Sequence, residues 1–279
     1  MKTLRSILAF FLLNVSFFII TGSGNTASAQ DFLGYSGSNY AGVSGIDLNP
    51  ACIADNRYKF DMTLVGANFT FANNYIGLSK EAMKNKSVAF ADTAFRDKYL
   101  IERINKANKA VFLSLQLVMP SFMVTLSPKH AFAITTRMRT IFNIDGLEPE
   151  LASLMYHQLN DPMNWKQKFS NENFSVQEMT WIEYGASYAR VIKEDGGHFV
   201  KAGGRLKFLQ GMYAAYLYVD NLEYNFANDT VLSIFNTDVN YGHSNSFTLD
   251  QDMGKFVFGS KPSFGMDLGG VYELSLIHI

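Results

Sequence analysis

The stretch 131–144 constrains the fold more than any other part of the chain. Phe132, Ile134, Met138, Phe142 and Ile144 share one parity, with Thr136 and Thr140 between them. The other parity carries Ala131, Ala133, Thr135, Arg137, Arg139 and Asn143, with Ile141 the exception. A period of two is a strand period, because successive side chains leave a strand on opposite faces. One face is oily and the other holds two arginines, so the two faces need different surroundings. A guanidinium on an enclosed face must be paired or wet, since an orphaned buried charge is strongly destabilising.

The same alternation recurs. In 175–193, Ile182, Tyr184, Ala186 and Tyr188 oppose Trp181, Glu183, Gly185 and Ser187. In 198–211, Val200, Ala202, Leu206 and Phe208 oppose Lys201, Gly203, Arg205 and Lys207. In 263–274, Phe264, Met266, Leu268 and Tyr272 oppose Ser263, Gly265, Asp267, Gly269 and Glu273. The stretch 59–71 alternates less cleanly. The stretch 111–126 is apolar on both parities and contains Pro120, which lacks an amide hydrogen for the ladder and so predicts a bulge or bend. Short turns are expected at 127–130, 194–197 and 259–262, where Pro and Gly cluster with polar residues. Longer segments at 73–110, 145–174 and 212–254 lie between the turns. Within them, 92–108 and 148–160 have helical spacing, and 213–241 suits a hairpin turning at Asn228 and Asp229.

The N-terminus reads as an export signal. Lys2 and Arg5 precede an apolar stretch over 7–20, and Ala27, Ser28 and Ala29 form a small-residue cleavage site. Removing the two cations from 24 leaves 22 basic against 25 acidic residues, a formal charge of −3. Neither that balance nor its distribution suggests nucleic acid as a partner. Cys52 is the single cysteine, so no internal disulfide is possible. Beyond residue 29 no apolar run is long enough for a spanning helix. An exported chain of this kind enters a membrane only as a closed barrel, whose strands alternate oily and polar and whose turns are short on one side and long on the other. The fold class expected is therefore all-β, an antiparallel transmembrane β-barrel, truncated, with helices in its external loops.

Several motifs resemble a known family. Residues 40–51, reading from Tyr40 to Asn49, Pro50 and Ala51, with Ile53, Ala54 and Asp55, resemble the start of a Bacteroidota outer-membrane family known only as a domain of unknown function. Pro120 to Met123, the 130–139 strand and Asn143 to Gly146 resemble it in the same order. Asn49, Pro50 and Ala51 are also similar to the N-terminal region of long-chain fatty acid transporter barrels. By themselves, Asn49 can cap a short helix with Pro50 in its first position. The resemblance implies a plug-like segment over 30–58 ahead of a partial barrel over 59–274. Residues 275–279 end in mid-strand, and Leu276 to Ile279 read as non-native.

No chemistry-bearing motif points to an enzyme. His130, His157, His198, His243 and His278 are scattered without metal-ligand spacing, and no cofactor or metal site is expected. Gly34 to Ser38 approaches a nucleophile elbow, but Ser38 stands where glycine is required. One constellation is left on the polar parity. Arg137, Arg139, Lys201, Arg205 and Lys207 face Asp61, Glu183, Asp267 and Glu273, five cations against four carboxylates. Mixed signs suit a salt-bridged or plugged lumen better than a single-sign pore. The expectation is a non-enzymatic outer-membrane barrel with one of two roles: passive or gated transport of a small amphipathic molecule, or structure and assembly. The implied partners are outer-membrane lipid, the barrel-assembly machinery, and a peptidoglycan or secretion-system component. A soluble periplasmic or secreted β-rich binding protein is the alternative.

Overall fold

The structure is a computed structural model, and it describes residues 33–38, 40–84, 86–157, 165–195, 197–228, 231–244 and 262–274. The expected export signal over 1–29, the end over 275–279 and most of the 259–262 turn lie outside the described residues.

The chain is mostly antiparallel β. Its main-sheet strands are β1 (Phe60–Thr63), β2 (Gly66–Asn73), β5 (Lys109–Ser127), β6 (His130–Leu147), β7 (Lys168–Asp195), β8 (His198–Phe226), β9 (Leu232–His243) and β10 (Pro262–Leu274). The strands β3 (Ile76–Leu78) and β4 (Leu100–Glu102) form a separate pair. Six ladder positions result, because two pairs of strands are collinear. β1 and β2 share one flank of β5, and β9 and β10 share one flank of β8. The order is β1/β2, β5, β6, β7, β8, β9/β10, each antiparallel to its neighbour. Among the described residues the first and last of these do not pair, so the sheet is open and not closed into a barrel. Six positions fall short of the roughly eight strands that fill the smallest membrane barrels.

Two-residue turns join β5 to β6 at Pro128 and Lys129, and β7 to β8 at 196–197, where Gly197 takes φ 105°. Lys129 and Glu194 meet at 3.7 Å, so both turns lie at one end of the sheet. At the other end the connections are 74–108, 148–167 and 227–231. The last of these corrects the expected alternation of short and long segments. Most of 212–254 is not a connection, because β8 runs on to Phe226 and turns tightly into β9. β10 runs in the direction of β9, along the part of β8 nearer the turns. Pairing with β7 shifts register between Gly211 and Tyr213 and then carries β8 on to Asn225, so a glycine at 211 does not end the strand.

Helices lie in the long connections. Lys80–Lys84, Lys86–Ala91 and Phe95–Tyr99 pack around Ala82, Ala89 and Tyr99. The helical spacing expected over 92–108 is thus cut short, because Leu100–Glu102 pairs with Ile76–Leu78 instead. Pro149–His157 is helical and packs with Tyr75 and Leu147, while 158–160 lie outside the described residues. Tyr75 and His157 both bind the Glu102 carboxylate, the latter at 2.8 Å, tying the two connections together.

Pro120 sits at an irregularity in β5. Between Met119 and Phe122 the strand advances three residues while β6 advances two, from Thr136 to Ile134. This one-residue bulge flips the parity of β5, so Gln116 and Val118 are buried below it and Ser121 and Met123 above it. A bulge of this kind explains why 111–126 looks apolar on both faces when read with a single period. The stretch 59–71 is likewise interrupted, at Leu64 and Val65.

Candidate functional site: a charged face covered by an internal segment

The sheet is polar where it is covered and apolar where it is open. Ladder pairs define a row Met62, Phe122, Ile134, Ala186, Leu206, Met266 running across all six positions. A second row is Phe60, Val124, Phe132, Tyr188, Gly204, Leu268. Many of these side chains are exposed: Leu206 is 66%, Met266 63% and Leu268 75% accessible. The reverse face carries the row Asp61, Met123, Ala133, Ser187, Arg205, Asp267. There Arg137 and Arg205 are only 1% and 2% accessible. A water-soluble protein distributes its side chains the other way.

Residues 33–58 form the cover. Two 3-10 helices, Gly42–Asp47 and Pro50–Ile53, follow the one-turn helix Leu33–Ser36. Val43, Ile46, Ile53 and Ala54 pack on Met123, Ala131, Ala133, Ala189 and Val191 of the sheet. Small residues let the segment come close. Thr125, Ala131, Ala189, Gly203 and Gly269 share one row. A Cβ on Gly203 would sit 2.7 Å from the Pro50 carbonyl, and one on Gly269 would overlap the Asn49 amide.

Asn49 caps the second helix, accepting the Ala51 N–H at 2.9 Å, with Pro50 in the first position. Its side-chain amide donates to the Gly270 carbonyl at 3.0 Å, so the cap also fastens the segment to β10. The Val43 N–H donates to Asp61 at 2.8 Å, and Lys201 donates to the Ala54 carbonyl at 3.3 Å.

Asp47 is the hub. Arg137 pairs with it, Arg205 Nη1 donates to its Oδ1 at 3.0 Å, and Arg139 stands 3.9 Å from the same oxygen. Gln116 donates to its Oδ2 at 3.3 Å. Arg205 also donates to Thr135 Oγ1 at 2.9 Å. The remaining ion pairs are Arg139 with Glu183 at 3.4 Å, Arg205 with Asp267 at 3.9 Å, Lys207 with Asp267 at 2.8 Å and Lys201 with Glu273 at 3.9 Å. Arg137, Arg139, Glu183, Lys201, Arg205, Lys207, Asp267 and Glu273 thus stand on one face, as does Asp61.

The pairing differs from the sequence expectation in one respect. The four carboxylates expected on this face do not include the ion-pair partner of Arg137, which is Asp47. Strand parity cannot reveal a partner that lies outside the strands. Asp47 was nonetheless findable, being the only carboxylate between Leu33 and Ala54. With Asp47 counted, the cations and carboxylates number five each.

The histidines are placed separately. His130 and His198 meet the hydroxyls of Tyr188 and Tyr272 at 2.6 and 2.7 Å, His157 meets Glu102, and His243 contacts the Ser244 carbonyl. Among the described residues no three His, Cys, Asp or Glu cluster as a metal site would, and no helix is long and apolar enough to cross a membrane.

Compared with known proteins, the chain matches no curated protein and no solved structure. Residues 50–277 do match one described as a family of unknown function, DUF5723, from the capped Pro50 to beyond the last described strand. Since the match covers most of the sequence, the chain belongs to the DUF5723 family.

Proposed function

We propose that this protein is a non-enzymatic outer-membrane β-barrel component, exported by its N-terminal signal. In this reading, residues 33–58 lie inside the barrel and close its lumen. The observation that carries the reading is the inverted distribution of side chains. Phe264 is 81% accessible on the face without a cover, while Arg137 and Arg205 are almost fully enclosed. Lipid accommodates the first face and an enclosed, paired interior accommodates the second.

Strand length supports it as well. β7 and β8 have 28 and 29 residues, whereas a crossing takes about 9–11. Both would project well past the lipid at the end bearing the helical connections, which is then the exterior. The ring pairs His130–Tyr188 and His198–Tyr272 lie near the short turns, where amphipathic rings suit a lipid–water boundary. Closure would come from strands beyond the six positions described, and folding would use the barrel-assembly machinery.

The interior as described is occupied, so passage of a small solute requires the 33–58 segment to move. The filled, ion-paired interior equally favours a structural or assembly role, with a peptidoglycan or secretion-system partner. Fractionation of cells making the full-length protein tests the location. Recovery in the outer-membrane fraction, released only by detergent and with heat-modifiable gel mobility, is expected. Recovery in the soluble periplasmic fraction without detergent would instead support a soluble β-rich binding protein. In planar bilayers, conductance that rises when the segment is displaced would support transport, and persistent silence would support the structural role.

A further inference from the structure

We propose that the covered face holds a carboxylate-binding site that Asp47 occupies as an internal ligand, and that a small, water-soluble organic carboxylate displaces it. The proposal rests on the barrel reading and deepens it by naming the class of solute.

The donors outnumber what Asp47 can use. Arg137, Arg139 and Arg205 all converge on its Oδ1, and Gln116 approaches Oδ2. In the immediate cluster, four cations (the three arginines and Lys207) stand with three carboxylates (Asp47, Glu183 and Asp267). Withdrawing Asp47 leaves four against two, a surplus that draws in an anion. Arg137 Nε, Arg139 Nε and Arg205 Nε are buried without a hydrogen-bond partner, as is Ser187 Oγ, and the one buried acceptor of the cluster in that state is Glu183 Oε2. Buried donors without acceptors are uncommon in a finished structure and suit a site made for more than one occupant.

The ligand already seated indicates the class. Asp47 presents a planar pair of oxygens, and the site supplies arginine to one and an amide to the other, a division that suits a carboxylate. The arginines around that carboxylate are themselves held by polar groups, Arg205 by Thr135 Oγ1 at 2.9 Å and Arg139 by Glu183 at 3.4 Å, a setting that favours a short hydrophilic anion over a long apolar tail. Asp47 is also placed to leave. It belongs to a segment of short 3-10 helices docked on the sheet, not to a strand held by two ladders. A competing anion therefore has only to break the docking contacts, while Arg137 and Arg205 stay fixed in β6 and β8.

Acetate is the probe, with chloride at matched ionic strength as the control and the full-length protein in detergent micelles as the sample. Cys52, the single cysteine of these 279 residues, lies in the docked segment and is a native reporter once any cysteine elsewhere in the full-length protein is replaced. Cys52 is half-buried and that burial pushes its thiol pKa up, so alkylation should be faster when the segment lifts than while it is seated. Acetate should raise the wild-type alkylation rate at least tenfold and saturably, and chloride should not. Asp47→Ala should gain thermal stability with acetate, and Arg137→Gln in that background should lose the gain.

Acetate no better than chloride at Cys52 overturns the proposal, even if Asp47→Ala does not fold. Inorganic phosphate outperforming acetate overturns the carboxylate assignment. These measurements need no bilayer, so they are separable from the barrel reading. An acetate effect on a protein found in the soluble fraction would keep the site and remove the membrane, whereas a detergent-requiring barrel indifferent to acetate would do the reverse.

Discussion

Two neighbouring glycines show how much a single residue depends on its face. Gly203 lies under Pro50, where a Cβ would meet backbone at 2.7 Å, while Gly204 faces outward with Leu268 3.5 Å away. Gly203→Ala should loosen the segment and lower stability by about 1–3 kcal/mol, the range for overpacking. Gly204→Ala should be nearly neutral, and thermal melts of the two variants check the contrast. The arginines grade similarly. Arg137 is enclosed, whereas Arg139 is a third exposed. Arg137→Ala removes the most enclosed partner of Asp47 while Arg205 and Gln116 remain, and should cost about 1.5–3 kcal/mol, the range for a hydrogen bond to a charged group. Arg139→Ala should cost clearly less. If heat-modifiable migration gave the same unfolding temperature for both, the buried-pair account would fail.

The strand is the next scale, and there register governs. Leu206 belongs to a row of six apolar residues contributed by every ladder position. On the membrane reading, Leu206→Lys places a charge in lipid and should cost about 2–4 kcal/mol near the midplane. Leu206→Phe should be tolerated. Assembly yield in the outer membrane measures both, and equal yields would argue against lipid on that face. The bulge at Pro120 belongs to this scale as well. It shifts β5 by one residue and brings Ser121 and Met123 to the covered face; Met123 there packs under the internal segment. A strict period of two fails across it, which is why β5 was the strand least readable from its sequence.

For the whole molecule, the two ends of the sheet differ. One has two tight turns, linked by Lys129 and Glu194, and the other has helical connections tied together at Glu102. If the helical end is external, protease added to intact cells should cut at the exposed Lys166 and spare Lys129. The opposite pattern would invert the orientation. Among the described residues the outer flanks of β1/β2 and β9/β10 have no partner strand and are a template for further strands.

Periodicity is local, and so the sequence alone determined the oily and charged parities of β6, β10 and the turn-proximal parts of β7 and β8, the two-residue turns at 127–130 and 194–197, and the cap at Asn49. Each of these rests on neighbours a few residues apart. Only the tertiary structure decided that β9 and β10 share one flank of β8, because a broken strand and a turn carry the same glycine and proline signals. It alone brought Asp47 to Arg205, 158 residues away. That pairing depends on how closely the 33–58 segment docks on a floor of alanine and glycine. Docking depth is a property of two surfaces in contact, and no spacing along the chain encodes it.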